Sequence, residues 1–143
     1  HFRMVGPIDV QPEALAKLAA TVELAGPIPR SEMRSQFEWA DVFLLPSLCE
    51  GSATAVYEAL AAGLPVICTD NTGSVVRHGI DGYIVPIRDV TETAEILRQL
   101  AGNAATLARM SDSARERAGD FTVSRYGERL VQALAKHSRV DAR

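Results

Sequence analysis

Pro46-Ser47-Leu48-Cys49-Glu50-Gly51-Ser52-Ala53-Thr54-Ala55-Val56-Tyr57-Glu58-Ala59-Leu60-Ala61-Ala62-Gly63-Leu64-Pro65-Val66-Ile67 reads as a strand end, a small-residue loop, a helix, a glycine stop and a new strand. The preceding run, Asp41 to Leu45, is short and apolar and is closed by Pro46; Ser52 is the expected N-cap, and Gly63 with Pro65 ends the helix. Two carboxylates mark the stretch. Glu50 lies in the loop that feeds the helix, and Glu58 is the only charged residue between Ala53 and Ala62.

A helix N-terminus presents free backbone N–H groups and a partial positive charge, a setting suited to phosphate oxygens. From Ser52 to Glu58 the helix rises about 9 Å, and the side chain leans back toward the N-terminus, so its carboxylate falls about 5 Å beyond a phosphate held there. That is the span from a diphosphate to a ribose, whose vicinal hydroxyls a carboxylate accepts well. Gly51, Ser52 and Ala53 are small enough for a ligand to approach the backbone. The same spacing also fits a Glu58 that faces solvent or meets an arginine elsewhere in the fold.

On either side of this stretch the chain alternates strand and helix. Phe2 to Gly6 is a strand, Pro12 opens a helix with Leu15, Leu18 and Ala19 on one stripe, and Val22 to Ala25 is the second strand. Ser31 caps a short helix carrying Met33 and Phe37, and Asp41 to Leu45 is the third strand. After the central helix come a strand at Pro65 to Thr69, a helical turn at Val75 to His78 and a strand at Tyr83 to Val85. Helices alone follow, marked by Ala94, Leu97 and Leu100, by Leu107, Met110 and Ala114, and by Tyr126, Leu130 and Leu134. The pattern predicts an α/β fold, a Rossmann-like doubly wound parallel sheet with C-terminal helices, in one domain spanning residues 1–143. Ligands of such sheets bind at the carboxyl ends of the strands, which would gather Glu50, Asp70 to Gly73 and the loop after Gly6 on one rim.

Composition narrows the function classes. A chain of 143 residues that is 47% hydrophobic can build a core, and its net charge of −3 offers no basic surplus for nucleic acid. No apolar run approaches the ~20 residues of a membrane span, and no signal peptide is present, which points to a cytoplasmic protein. Cys49 and Cys68 lack metal-ligand spacing and read as free buried thiols. His1, His78 and His137 stand far apart, none beside a cysteine or carboxylate at ligand spacing, so the residues indicate no metal, and His78 reads as a loop residue. There is no Gly-x-Gly-x-x-Gly after a strand, no Walker lysine loop, no Asp-x-Asp pair, and no histidine partner for Ser47 or Ser52. A response-regulator receiver would need an acidic pair after the first strand, where only Asp9 stands.

Pro46-Ser47, Glu50-Gly51, the seven residues between Glu50 and Glu58, and Glu58-Ala59-Leu60-Ala61-Ala62-Gly63-Leu64-Pro65-Val66 together resemble the signature of the family 4 retaining glycosyltransferases of the GT-B fold. Asp70-Asn71-Thr72-Gly73, Gly79-Ile80-Asp81-Gly82-Tyr83-Ile84-Val85-Pro86, and Asp112-Ser113-Ala114-Arg115 running to Phe121-Thr122 resemble the segments that follow in that family, so the likeness covers Met4 to Leu134. The resemblance implies a donor-binding C-terminal domain for a nucleotide-diphosphate sugar, used in retaining, metal-independent transfer without a cofactor. It implies Glu50 near the sugar hydroxyls as the catalytic glutamate, Gly51, Ser52, Ala53 and Thr54 facing the sugar and diphosphate, and Glu58 on the ribose. The rival reading is a non-catalytic nucleotide or sugar-phosphate binding module, or an assembly module, on the same fold.

The sequence departs from that pattern in three ways. Ala53 stands where the family commonly has glycine, and Ser74 where a glutamate is frequent. The family's C-terminal domain also opens with a strand and helix carrying an arginine and a lysine that hold the diphosphate, and this chain starts after them. The expectation is therefore a fragment that lacks its acceptor-binding N-terminal domain, through which the parent would also meet a membrane surface, and that transfers no sugar alone. In the strand order 3-2-1-4-5-6 the absent strand is central, so Phe2 to Gly6 and Asp41 to Leu45 are expected either to close on each other or to pair between chains as a homodimer.

Overall fold

The computed structural model describes residues 1–137. Two compact units form along the chain, His1–Trp39 and a larger one from Ala40 onward. The first holds β1 (Arg3–Val5), α1 (Pro12–Ala19), β2 (Glu23–Gly26) and α2 (Met33–Trp39), the last entered through a 3-10 turn at Arg30–Glu32. Pro12 occupies the first turn of α1, where its missing N–H costs nothing. β1 and β2 run parallel, with Arg3 opposite Glu23 and Met4 opposite Leu24. Arg3 ties this unit together: its guanidinium lies 3.0 Å from the Glu23 carboxylate, donates to Gln36 Oε1 at 3.0 Å and stacks 3.8 Å from the centre of the Trp39 ring.

The larger unit runs β3 (Phe43–Leu45), α3 (Thr54–Ala61), β4 (Val66–Thr69), β5 (Gly82–Val85), α4 (Val90–Ala101), α5 (Ala104–Ala118) and α6 (Val123–His137), with 3-10 turns at Asp70–Thr72 and Gly119–Phe121. Its sheet is parallel in the order β3-β4-β5, with Phe43 opposite Val66 and Val66 opposite Gly82. All four residues of the central β4 are buried, as befits a parallel strand covered on both faces. Ile67 and Val85 from the sheet meet Ile96, Leu100 and Met110 from α4 and α5 to form the core. Side-chain caps fix where those two helices start: Asp89 accepts from the Glu92 N–H at 2.8 Å and Asn103 from the Thr106 N–H at 2.9 Å. α3 packs on α5, Ala59 and Ala114 on the two helices are buried, and Ser111 Oγ donates to the Gly63 carbonyl at 2.7 Å.

The expected α/β class, the parallel strand pairing and the three C-terminal helices are all present, with the five strands divided between two sheets, β1-β2 and β3-β4-β5. Two expectations fail. Of the two outcomes expected for β1 and β3, direct pairing is not made: they belong to different sheets, and each uses one edge on the parallel neighbour that follows it, β2 or β4. Val75 to His78 is not helical. Ser74 Oγ accepts from the Val76 N–H at 3.0 Å, and the Arg77 N–H goes to Asp81 Oδ1 at 2.6 Å, so side chains take the bonds that a helical turn would give to carbonyls. Cys49 is exposed rather than buried, because it sits in the loop beyond β3; Cys68, on β4, is buried as expected.

Candidate functional site

The loops after β3 and β4 lock together at the N-terminal end of α3. The Glu50 N–H donates to the Asn71 carbonyl at 2.8 Å, and Asn71 Nδ2 donates back to the Leu48 carbonyl at 2.7 Å. Below them Thr69 and Thr72, both fully buried, cap the 3-10 turn reciprocally, and the Thr69 hydroxyl donates to the Ser47 carbonyl. Gly73 ends that turn in the left-handed region at φ 59°, with its α-carbon so close to the Gly51 carbonyl that a side chain has no room. Two segments about twenty positions apart thus behave as one clamp. Ser47 Oγ donates to Glu50 Oε1 at 2.8 Å, which aims the first carboxylate from within its own loop.

Ala53, not Ser52, is the N-cap of α3, and its side chain caps nothing. The expected role of Ser52 fails because its hydroxyl is turned to the Tyr57 hydroxyl, 3.1 Å away, instead of to a backbone N–H of the first turn. Ala53 is buried, Gly51, Ser52 and Thr54 are exposed, and Glu58 is half-buried on the second turn of α3. The helix starts tightly, with the Val56 N–H on the Ala53 carbonyl at 3.0 Å, so the N–H groups of Thr54 and Ala55 have no carbonyl of their own helix to meet. The structure therefore brings Glu50, Gly51, Ser52, Ala53 and Thr54 together at one helix end, with Glu58 on the same helix.

Ser47 and Thr69, to which sequence reasoning gave no site role, hold this geometry together with Asn71 from the expected rim segment Asp70 to Gly73. Their signal is a run of hydroxyl and amide side chains just past two strand ends, where turn chemistry is made. His78 serves the fold: its Nδ1 accepts from the Ile84 N–H at 3.1 Å, and its ring meets Tyr83 edge-on. Burial pushes the Cys68 thiol up, partly offset by its hydrogen bond to Ser74. Among the described residues no cluster of three histidine, cysteine or acidic side chains could hold a metal ion, and no helix is long and apolar enough to cross a membrane.

The sequence model of the family Glycosyl transferases group 1 matches residues 1–103. The chain belongs to this family. The group 1 chain is 36% identical over 88 residues to the amylovoran biosynthesis glycosyltransferase AmsK of Erwinia amylovora, covering 56% of this chain and 22% of that protein. It is 34% identical over 119 residues to the D-inositol 3-phosphate glycosyltransferase of Streptomyces coelicolor, covering 78% of this chain and 26% of the relative. The group 1 chain thus spans about a quarter of the length of these relatives. Among solved structures, Anabaena Alr3699/HepE in complex with UDP superposes with a TM-score of 0.78 at 19% identity, over 94% of this chain and 40% of that one. The shared architecture is part of the GT-B fold of these glycosyltransferases.

Proposed function

We propose that the protein carrying this chain is a glycosyltransferase that uses a nucleotide-diphosphate sugar, and that the clamp between the β3 and β4 loops is its donor site. The observation that carries this reading is the double tie of Asn71 to the β3 loop, at the Glu50 N–H and the Leu48 carbonyl, which fixes a carboxylate and a small-residue loop at the start of α3. In this reading the N–H groups of Thr54 and Ala55 and the loop backbone at Gly51 to Ala53 face the diphosphate. Glu58, about 6 Å of helix rise beyond Thr54, accepts the ribose hydroxyls. Glu50, with one carboxylate oxygen already accepting from Ser47, keeps the other for hydroxyls of the donor sugar.

Transfer expels a nucleoside diphosphate, whose growing negative charge must be met where it develops. Fixed N–H groups at a helix end do so with little reorganisation, because the clamp has already set their positions. A retaining outcome and independence from metal are part of the proposal; they rest on the family 4 pattern of the two glutamates. UDP in the Anabaena structure supports testing uridine diphosphate first.

The test is calorimetric titration of the full-length protein with UDP, GDP and ADP, repeated for Glu58→Gln. One of the three should bind, and loss of the charged acceptor should weaken it about tenfold or more with folding intact. Unchanged affinity in Glu58→Gln removes that residue from the site. Tight binding without transfer from any nucleotide sugar would favour the binding-module reading.

A further inference from the structure

The donor loop is tied on one side to Asn71 and Gly73; on its other side the hydroxyl of Ser52 lies 3.1 Å from that of Tyr57. Tyr57 follows Ser52 by more than a helical turn, on the flank of α3 turned toward the end of α5. There its ring meets Phe121 edge-on, centroids 5.4 Å apart and planes at 69°. Phe121 is itself pinned, with the guanidinium of Arg117 4.7 Å and that of Arg129 5.3 Å from its ring centre. Both cations are anchored in turn: Arg117 Nε donates to the Val75 carbonyl at 3.0 Å, and Arg129 donates to the Asp120 carbonyl at 3.0 Å. Arg125 also donates to Asp120, at 2.8 Å.

An exposed hydroxyl pair contributes little by itself, because water competes for both partners. Its effect depends on whether either hydroxyl is already fixed. Here the phenol is held without help from Ser52, because its ring packs edge-on against Phe121, and Phe121 is itself held between two guanidinium groups. The bond therefore ties Ser52 of the loop to the α5–α6 junction through the Tyr57 ring. None of these residues needs to touch a ligand for this to matter.

We propose that Tyr57 is a positioning residue for the donor loop, holding Ser52 through its hydroxyl while its ring packs on Phe121, which Arg117 and Arg129 hold in turn. The consequence for ligand binding rests on the proposed donor site; the consequence for loop order does not. Segments from three elements, α3, the end of α5 and α6, then converge on one loop. A change at Arg129 of α6 would then reach the donor loop through Phe121 and Tyr57.

Tyr57→Phe keeps the ring and removes only the hydroxyl. In the ligand-free full-length protein, backbone amide relaxation should show the order parameters of Gly51 and Ser52 falling from the ~0.85 of rigid backbone toward the ~0.6 of a flexible one. Ser52→Ala should give the same fall, and the double variant no more. The melting temperature should not move, which separates positioning from a general structural role. UDP affinity should weaken about two- to tenfold in Tyr57→Phe, with no further loss when the change is made in Ser52→Ala. Phe121→Leu should loosen the same amides with the hydroxyl still present.

Unchanged order parameters in Tyr57→Phe overturn the proposal whatever UDP does. A loosened loop that binds UDP as tightly as before overturns its functional half. If UDP, GDP and ADP all fail to bind the unaltered protein while the loop loosens as stated, the positioning role stands and the donor-site reading falls.

Discussion

Gly73→Ala probes the clamp at its tightest point. The residue sits at φ 59°, where a side chain costs about 1–2 kcal/mol in backbone strain alone. A methyl there would also overlap the Gly51 carbonyl oxygen and lie 2.9 Å from the Gly51 carbonyl carbon. Both atoms are backbone, so relief means moving the loop: reaching an ordinary carbon contact of ~3.5 Å pushes Gly51 back by more than half an ångström. The Glu50 N–H, on Asn71 at 2.8 Å, has to move with it. Misplacement by about 1 Å is enough to cost about a hundredfold in a positioned reaction. Gly79→Ala supplies the control, since Gly79 has φ 77° and nothing within 4 Å of its missing Cβ. Urea unfolding should show a loss of about 1–2 kcal/mol for Gly79→Ala with UDP affinity unchanged. Gly73→Ala should lose more than that, and UDP affinity should drop at least tenfold in protein that remains folded. Equal stability losses in the two variants, or UDP binding untouched in Gly73→Ala, would refute the reasoning.

Asp81 is completely buried and accepts from the Arg77 N–H at 2.6 Å and from Arg77 Nε at 2.5 Å. Asp81→Ala should therefore cost about 3 kcal/mol in urea unfolding, because it leaves a backbone donor and a cation without their acceptor; a loss under 1 kcal/mol would contradict this. Burial raises the Cys68 thiol, so it stays protonated in the fold while the unfolded thiol ionises; its contribution to stability is complete below the ordinary thiol range and falls as pH rises through that range toward the folded thiol's higher value. Iodoacetamide at mildly alkaline pH should accordingly alkylate exposed Cys49 in the folded protein and Cys68 only after urea; native labelling of Cys68 would contradict that packing.

Much of the fold is visible in the sequence because short apolar runs and glycine or proline stops are local signals. β4 reads as a buried strand from Val66-Ile67-Cys68-Thr69 alone, and α3 from its alanine-rich run before Gly63. The failures came where a side chain competed with the backbone. Ser52 has the right residue type for a cap, but a phenol five positions on claims its hydroxyl. Val75 to His78 has helix-compatible residues, but Ser74 and Asp81 take the N–H groups of Val76 and Arg77. At the candidate site the two glutamates and the small-residue loop were legible as a spacing. The clamp was not, because Glu50 meets Asn71, and Gly51 meets Gly73, across a crossover that includes all of α3 and β4. Nothing in the order of residues fixes such a pairing until the parallel register of β3 on β4 does.

The most direct test of the donor-site assignment is a crystal structure of the full-length protein with UDP. The account predicts the ribose hydroxyls on the Glu58 carboxylate, the diphosphate against the backbone of Gly51 to Thr54, and Glu50 beyond the terminal phosphate. A nucleotide bound elsewhere, with Glu58 remote from its ribose, would contradict the account.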